Sequence, residues 1–149
     1  MFGLLLLLHI LAAVAVIGSA FLMPIIRRSA KTAAQLRFIF DITPKVGWFS
    51  KIGAVVLVLT GIWLMVIADM GFSQLWLNLS ILITLVLIVT IGGWIEPRIK
   101  RIAQIASESQ GHELSADVGL AMRKLAPLET TAQLLILAVT VLMVIKPMF

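Results

Sequence analysis

Four long apolar runs constrain the fold more than any other feature of this sequence. They cover residues 2–26, 46–68, 73–95 and 127–146. A helix of roughly 20 mostly apolar residues spans the hydrocarbon core of a bilayer, so each run is long enough to cross it. Hydrophobic residues make up 61% of the 149-residue chain, whereas a soluble domain is roughly 45–50% apolar. The sequence therefore predicts an all-α integral membrane protein.

The first run is predicted to be a retained spanning helix. A signal peptide begins with a basic segment and has a hydrophobic region of roughly 7–15 residues. Here no basic residue precedes the apolar run, which continues as far as Arg27 and Arg28. Small residues along the run predict close packing against a neighbouring helix. They are Ala12, Ala13, Ala15, Gly18, Ser19 and Ala20.

The connections between the runs differ in length. Residues 69–72 are few enough for a tight turn, which predicts an antiparallel hairpin of the second and third helices. Residues 27–45 are predicted to contain a short amphipathic helix that lies on the membrane surface or caps the bundle. Its apolar residues recur at helical spacing: Leu36, Ile39 and Phe40. Pro44 is then expected to open the second span, because proline is favoured in the first turn of a helix.

The last connection, residues 96–126, is predicted to begin as a continuation of the third helix. A break is expected at 109–112, where serine, glutamine, glycine and histidine follow one another. Ser115 could cap a further short helix, and Pro127 is expected to open the fourth span. The apolar face of this short helix would hold Val118, Met122 and Leu125.

Basic residues predict the orientation of the protein in its membrane. Eleven of the twelve lysines and arginines lie in the two long connections or at the adjacent helix ends, and only Lys146 lies on the opposite side. The positive-inside rule places both connections in the cytoplasm and both termini outside a bacterial inner membrane. The net charge of +5 does not indicate nucleic acid binding, because these residues flank apolar spans. The expected partner is the lipid bilayer.

No internal repeat or flexible linker divides the chain. Residues 1–149 are therefore predicted to form one domain, an antiparallel four-helix bundle with short amphipathic helices on the cytoplasmic side. The chain contains no cysteine and no tyrosine, which excludes disulfides, thiolate metal sites and tyrosyl chemistry. It also lacks the sequence motifs of hydrolytic enzymes and phosphate-binding loops.

His9 is the main candidate functional residue. It lies seven residues into the first helix, about 10 Å below the outer end at 1.5 Å per residue. An ionisable side chain at this depth is a functional candidate and usually faces the bundle interior. The alternative is a neutral imidazole that is hydrogen-bonded to a neighbouring helix and binds no ligand. Several polar or sulfur-bearing residues are predicted near its depth: Met65, Asp69, Met70, Trp76, Asn78, Ser80, Met143, Lys146 and Met148.

Histidine with methionine suits either haem iron or Cu(I). Asp69 or Asn78 could instead hold the His9 imidazole in one tautomer. At the other end of the bundle, an ion pair between Lys51 and either Glu96 or Glu129 is predicted to have a structural role. His112, in the expected loop, is predicted to be solvated.

Four segments carry a family resemblance. They are LHILAAVAVIGSAF (8–21), LTGIWLM (59–65), WLNLSILITLVL (76–87) and VLMVIKP (141–147). In this order they resemble a bacterial family of small four-helix membrane proteins of unknown activity. More distantly, they are similar to HemJ-type protoporphyrinogen IX oxidases and to the CopD copper-resistance membrane domain.

The HemJ resemblance implies that His9 is a ligand of haem b. It also aligns Thr60 and Gly61 with the second helix of that family, and Lys146 and Pro147 with its Lys-Pro ending. Two departures stand beside these matches. Where the oxidases carry histidine and lysine in the third helix, this chain has Asn78 and Ser80, and Ile91-Gly92-Gly93 follows further on. Oxidase activity of the HemJ type is therefore not expected.

Three hypotheses follow from the sequence. The first is a redox protein that binds haem b through His9; its second axial ligand would be Met65, Met143 or His9 of a second copy in a homodimer, unless that position is open. Asn78 and Lys146 would line the same site. The second is a copper-handling protein that uses His9 and the methionines on the outer side. The third is a scaffold or accessory protein in which His9 is a packing residue.

Overall fold

The computed structural model describes residues 1–69, 73–108 and 114–146. Its helices are α1 (Phe2–Ser29), α2 (Ala33–Ile67), α3 (Leu75–Thr90), α4 (Glu96–Glu108) and α5 (Ala116–Ile145), and a π-helical turn (Ile91–Ile95) joins α3 to α4 without a break. These residues contain no strand. Counting α3 through α4 as one helix, four helices are long and apolar enough to cross a membrane. The predicted all-α architecture is confirmed.

The two ends of the bundle differ in what they contain. One end holds the α1–α2 connection and the ends of α4 and α5 that adjoin residues 109–113, and we call it the connecting end. The other end holds the start of α1 at Phe2 and the end of α5 at Ile145, and we call it the terminal end. α2 ends and α3 begins at the terminal end.

The helices pack as two antiparallel pairs. α1 lies along α2, and the continuous α3–α4 helix lies along α5. The pairs meet where α1 approaches α5 and where α2 approaches α4, whereas no Cα atom of α3 comes within 8 Å of one in α1 or α2. The predicted antiparallel hairpin of helices two and three is therefore wrong, because these helices follow one another along the chain but pack against different partners. Most of the predicted turn between them, residues 70–72, lies outside the described residues.

The prediction that Pro44 and Pro127 open the second and fourth spans is wrong. α2 begins eleven residues before Pro44, and α5 begins eleven residues before Pro127. A proline removes one backbone hydrogen bond, but tertiary packing of an apolar face supplies most of a helix's stability. One face of each preceding segment is buried in the core, so the expected short amphipathic helices are instead the first turns of the spanning helices. Those segments contribute Leu36, Phe40, Val118 and Leu125.

Two of the three predictions about residues 96–126 are confirmed. Ser115 caps α5, since its hydroxyl accepts from the backbone N–H of Val118 at 3.4 Å, as predicted. The continuation of the third helix into α4 is also confirmed. The expected break at 109–112, which includes His112, lies outside the described residues.

The hydrophobic core lies mainly in the connecting half of the bundle. It joins α2, α3, the π-helical turn, α4 and α5, and its most enclosed members are Leu36, Ile102, Ala106, Val118 and Leu125. At 1.5 Å per residue, the 35 residues of α2 reach about 52 Å, against a hydrocarbon thickness of roughly 30 Å. Large apolar side chains are exposed on the outer surface of every spanning helix, as lipid contact requires.

Candidate ligand site at His9

His9 faces α2 at matched depth. It lies seven residues from the start of α1 at Phe2, and Thr60 lies seven residues from the end of α2 at Ile67. Because the two helices are antiparallel and begin and end at the terminal end, equal spacing from that end places the two residues side by side. The His9 ring is half-buried and Thr60 is buried.

The hydrogen bonds of Thr60 determine the tautomer of His9. The Thr60 hydroxyl lies 2.6 Å from the carbonyl oxygen of Val56 and 3.1 Å from that of Leu57, and it lies 2.9 Å from Nδ1 of His9. A hydroxyl hydrogen that donates to the backbone leaves the oxygen as an acceptor for His9. We infer from this arrangement that Nδ1 carries the imidazole proton. In that tautomer Nε2 is the unprotonated nitrogen, and Thr60 is the side chain that bonds to the ring.

Glycines allow α1 and α2 to approach closely. A Cβ atom at Gly61 would lie 3.2 Å from Cε1 of His9, and one at Gly53 would lie 3.3 Å from Cγ2 of Val16 and 3.4 Å from Cβ of Ala15. The ring of His9 thus lies against the bare backbone of α2. The close packing predicted for the small residues of the first helix is confirmed at Ala12, which is buried, and at Ala15.

The predicted bond from Asp69 or Asn78 to the imidazole is wrong, because Thr60 makes it. Asp69 lies beyond the end of α2, with a left-handed backbone (φ 49°), two turns further from the bundle centre than Thr60. Asn78 belongs to α3, which does not approach α1. The sequence signal for Thr60 was its spacing from the end of its helix, which equals that of His9.

The other predicted site residues are divided between the two helix pairs. Met65 is half-buried on α2, one helical turn after Gly61, on the same pair as His9. Asn78 lies on α3, and Met143, which is 36% exposed, lies near the end of α5. Their roles as ligands stay predictions, and Met70 and Met148 lie outside the described residues.

Lys146 lies over an aromatic ring at the terminal end. Its Nζ is 5.8 Å from the ring centroid of Trp76, which is within range of a cation–π interaction. Trp76 is buried, and the hydroxyl of the fully buried Ser80 donates to its carbonyl oxygen at 2.7 Å. Ser80 therefore satisfies its hydrogen bond within α3. Within 1–69, 73–108 and 114–146, no three His, Asp or Glu side chains are grouped as a metal site.

Ion pairs join the two helix pairs on the connecting side of the contact between His9 and Thr60. Nζ of Lys51 lies 2.7 Å from Oε1 of Glu96, which confirms the predicted pair. Glu129 instead binds Arg27, and its Oε2 lies 3.2 Å from Nη2 of Arg28. In the sequence these arginines indicate only the orientation of the protein, because nothing there pairs them with Glu129. Arg27 and Glu129 are both buried.

Comparison with known proteins identifies a family. Residues 3–147 match the model of the family described as "Predicted integral membrane protein (DUF2269)". No curated protein and no solved structure matches the chain. The predicted membership of a small membrane family is confirmed, while the more distant HemJ and CopD resemblance stays a hypothesis. Since the match covers nearly the whole length, the chain belongs to this family of integral membrane proteins.

Proposed function

We propose that this protein binds haem b within the membrane through Nε2 of His9 and has a redox role. The observation that carries the proposal is the hydrogen bond from Nδ1 of His9 to Thr60. Metal-bound histidines almost always donate the second ring N–H to a nearby acceptor, which fixes both the tautomer and the ring orientation. His9 has this arrangement, with Nε2 left as the base.

The surrounding residues fit an axial imidazole. Thr60 is itself anchored to the backbone of α2 through Val56, so the ring is oriented by a rigid element and not by a loop. Gly61 lets the ring lie against the helix without a steric clash. A bound haem b would supply one-electron chemistry at its iron. The protein would supply a fixed nitrogen ligand in an apolar setting.

Three residues are candidates for a second haem ligand within the proposal. Met65 lies on the same helix pair as His9, and Met143 lies on the other pair. His9 of a second copy, in a two-fold homodimer, would give two equivalent imidazoles. Haem with two imidazoles and haem with imidazole and thioether differ in reduction potential, so a redox titration distinguishes the homodimer from a methionine ligand.

Haem titration into the purified protein tests the proposal. The wild-type protein should develop a Soret band that saturates at a fixed stoichiometry, and His9→Ala should lose it. His112→Ala changes the only other histidine of the chain and serves as the matched control, with binding expected to equal that of the wild type. Failure of the wild type to bind haem, or equal binding by His9→Ala, would contradict the proposal.

A scaffold or accessory role is the second candidate, and one observation favours it. The imidazole bonds to Thr60 and touches Gly61, so His9 already fastens α1 to α2 without any ligand. In that case His9→Gln, which keeps a hydrogen-bond donor of similar reach, should retain both the fold and the cellular role. The haem proposal expects His9→Gln to fold but to lose the Soret band.

Copper handling is the third candidate and rests on His9 with Met65, which share one helix pair. Imidazole and thioether are suitable Cu(I) ligands. Stoichiometric Cu(I) binding by the haem-free protein, lost in Met65→Leu as well as in His9→Ala, would favour copper. Haem binding through an open or symmetric site would survive Met65→Leu.

We infer that the connecting end lies in the cytoplasm of a bacterium and the termini lie outside. The eleven basic residues near the connecting end support this orientation under the positive-inside rule. Because the chain has no cysteine, a single cysteine at exposed Val144 or at exposed Phe38 can be labelled selectively. In intact cells an impermeant maleimide should label Val144→Cys and leave Phe38→Cys unlabelled; the reverse pattern would overturn the orientation.

A further inference from the structure

A buried charge cluster at the connecting end is separate from the His9 site. It consists of Arg27, Arg28 and Glu129, and it lies where α1 meets α5. Arg27 and Glu129 are 4% and 6% exposed, whereas the Arg28 side chain is 49% exposed. Two guanidinium groups share one carboxylate, so the cluster carries one uncompensated positive charge.

Arg27 has donors that its protein partner does not use. A guanidinium has five N–H groups, and Arg27 donates through Nη2 to Glu129. Its Nε and Nη1 make no hydrogen bond to a described residue, yet no fully enclosed side-chain nitrogen or oxygen in the described residues lacks a partner. These donors therefore retain an opening to the surface. Buried charges are costly unless paired and hydrogen-bonded, so the unused donors favour an additional acceptor.

A cavity adjoins these donors. Arg27, Arg28 and Glu129 line it together with the apolar side chains of Pro24, Phe40 and Leu125. Its volume is about 10 Å³, enough for one oxygen-sized group. An anion cannot enter it whole, but one anionic oxygen can enter while Arg28, which is half-exposed, contacts the rest of the group.

The setting of the cluster favours a lipid over a free anion. One turn further into the membrane, α1 exposes Leu22 (58%), Ile25 (61%) and Ile26 (40%). Acyl chains can lie along these residues while a phosphate at the interface reaches the guanidinium groups. Arginine pairs with phosphate through strong, directed hydrogen bonds, and basic pockets between spanning helices on this side of membranes bind anionic head groups.

We propose that Arg27 and Arg28 form a head-group site for an anionic phospholipid, in which one phosphate oxygen meets the free donors of Arg27 and another meets Arg28. Glu129 holds Arg27 in place and offsets only one of the two charges. The site is specific because its central donor is buried, unlike the other basic residues of the connecting end.

Native mass spectrometry and vesicle binding test this proposal on the full-length protein. Phosphatidylglycerol should bind at one high-affinity site and displace phosphatidylcholine, and Arg28→Gln should weaken that binding about tenfold, the loss of one charge-assisted hydrogen bond. Lys124→Gln removes an exposed charge from the same end and should leave the affinity within about twofold. Equal losses of phosphatidylglycerol affinity in the two variants would overturn the proposal and would indicate a diffuse basic surface.

A further variant and a competition experiment complete the test. Glu129→Gln removes the competing carboxylate charge and should strengthen phosphatidylglycerol binding; weaker binding in a variant that folds would overturn the proposal. Inorganic phosphate distinguishes the source of the anion. Weak competition by millimolar phosphate supports a lipid site, whereas saturation by phosphate with no preference for phosphatidylglycerol would overturn it.

Discussion

The connecting and terminal halves of this bundle are built in opposite ways. From the middle of the bundle to the connecting end, hydrogen bonds and ion pairs cross between the helix pairs: Arg27 with Glu129, Lys51 with Glu96, Gln133 with the carbonyl of Ala20, and Arg37 with that of Ala106. In the terminal half, the contacts of His9 and Lys146 with other described residues stay within a pair. His9 bonds to Thr60 on α1 and α2, while Lys146 lies over Trp76 on α5 and α3.

The two halves are therefore expected to have different roles, one in the stability of the fold and the other in ligand binding. The enclosed core and the buried charges lie at the connecting end, so that half is expected to hold the fold together. Nε2 of His9, the candidate ligand atom, lies in the terminal half. There, the Cα atoms of α3 are more than 8 Å from those of α1 and α2. Regions of low contact density open at lower free-energy cost, which is where a ligand can enter between helices. Substitutions in the two halves test this division.

Glu129→Ala should cause the largest loss of stability. It leaves the guanidinium of Arg27 buried without its carboxylate, and breaking a buried pair on one side costs about 3–5 kcal/mol. Unfolding of the purified protein in mixed micelles measures the change. Glu108→Ala, at an exposed carboxylate of the same end, is the control and should stay within about 0.5 kcal/mol. If Glu129→Ala changed the free energy of unfolding as little as Glu108→Ala, the connecting end would not dominate stability.

Gly53→Leu should have an intermediate effect. A side chain there would meet Val16, Ala15 and the carbonyl oxygen of Ala12, and overpacking of this kind typically costs about 1–3 kcal/mol. Gly47→Leu, in the same helix with nothing within 4 Å of its added Cβ, is the matched control. If both variants unfold alike, α1 and α2 are not packed through Gly53.

Thr60→Val should have a small effect on stability and a larger one on the ligand. Losing one interhelical hydrogen bond within a membrane costs about 0.6 kcal/mol, but the orientation of His9 would be lost with it. Loss of an outer partner of a metal ligand typically weakens metal binding about 10–100-fold. Haem affinity is the readout, with Thr43→Val as control, because the Thr43 hydroxyl bonds only to its own helix at Ile39. Unchanged haem affinity in Thr60→Val would contradict the proposed role of Thr60.

The sequence predicted the parts of the fold that depend on composition. The four apolar runs predicted four spanning helices, and the cap at Ser115 followed from its position before an apolar face. The ends of the second and fourth helices could not be located from Pro44 and Pro127. Proline has a local preference for the first turn of a helix. The burial of Leu36 and Val118 depends instead on which helices lie beside them.

The candidate site was predicted only in part for a related reason. His9 stood out because it is polar within an apolar run, but in such runs almost every residue is apolar and the buried face has no signature. The sequence does not indicate Thr60 as the partner of His9, because a hydroxyl in a spanning helix usually bonds to the backbone of its own helix. Thr60 does so and also accepts from His9. Pairing the residues by distance from their helix ends would have found it.

Pulsed electron spin resonance tests the central claim, that the two helix pairs are fastened at one end, most directly. The chain has no native cysteine, so labels can be placed at exposed Phe38 and Leu120 in the connecting half and at exposed Val66 and Val144 in the terminal half. Both label pairs join α2 to α5. We predict a narrow distance distribution for 38–120 and a broader one for 66–144, narrowing when haem is bound. Equally narrow distributions at both ends without haem would contradict the account.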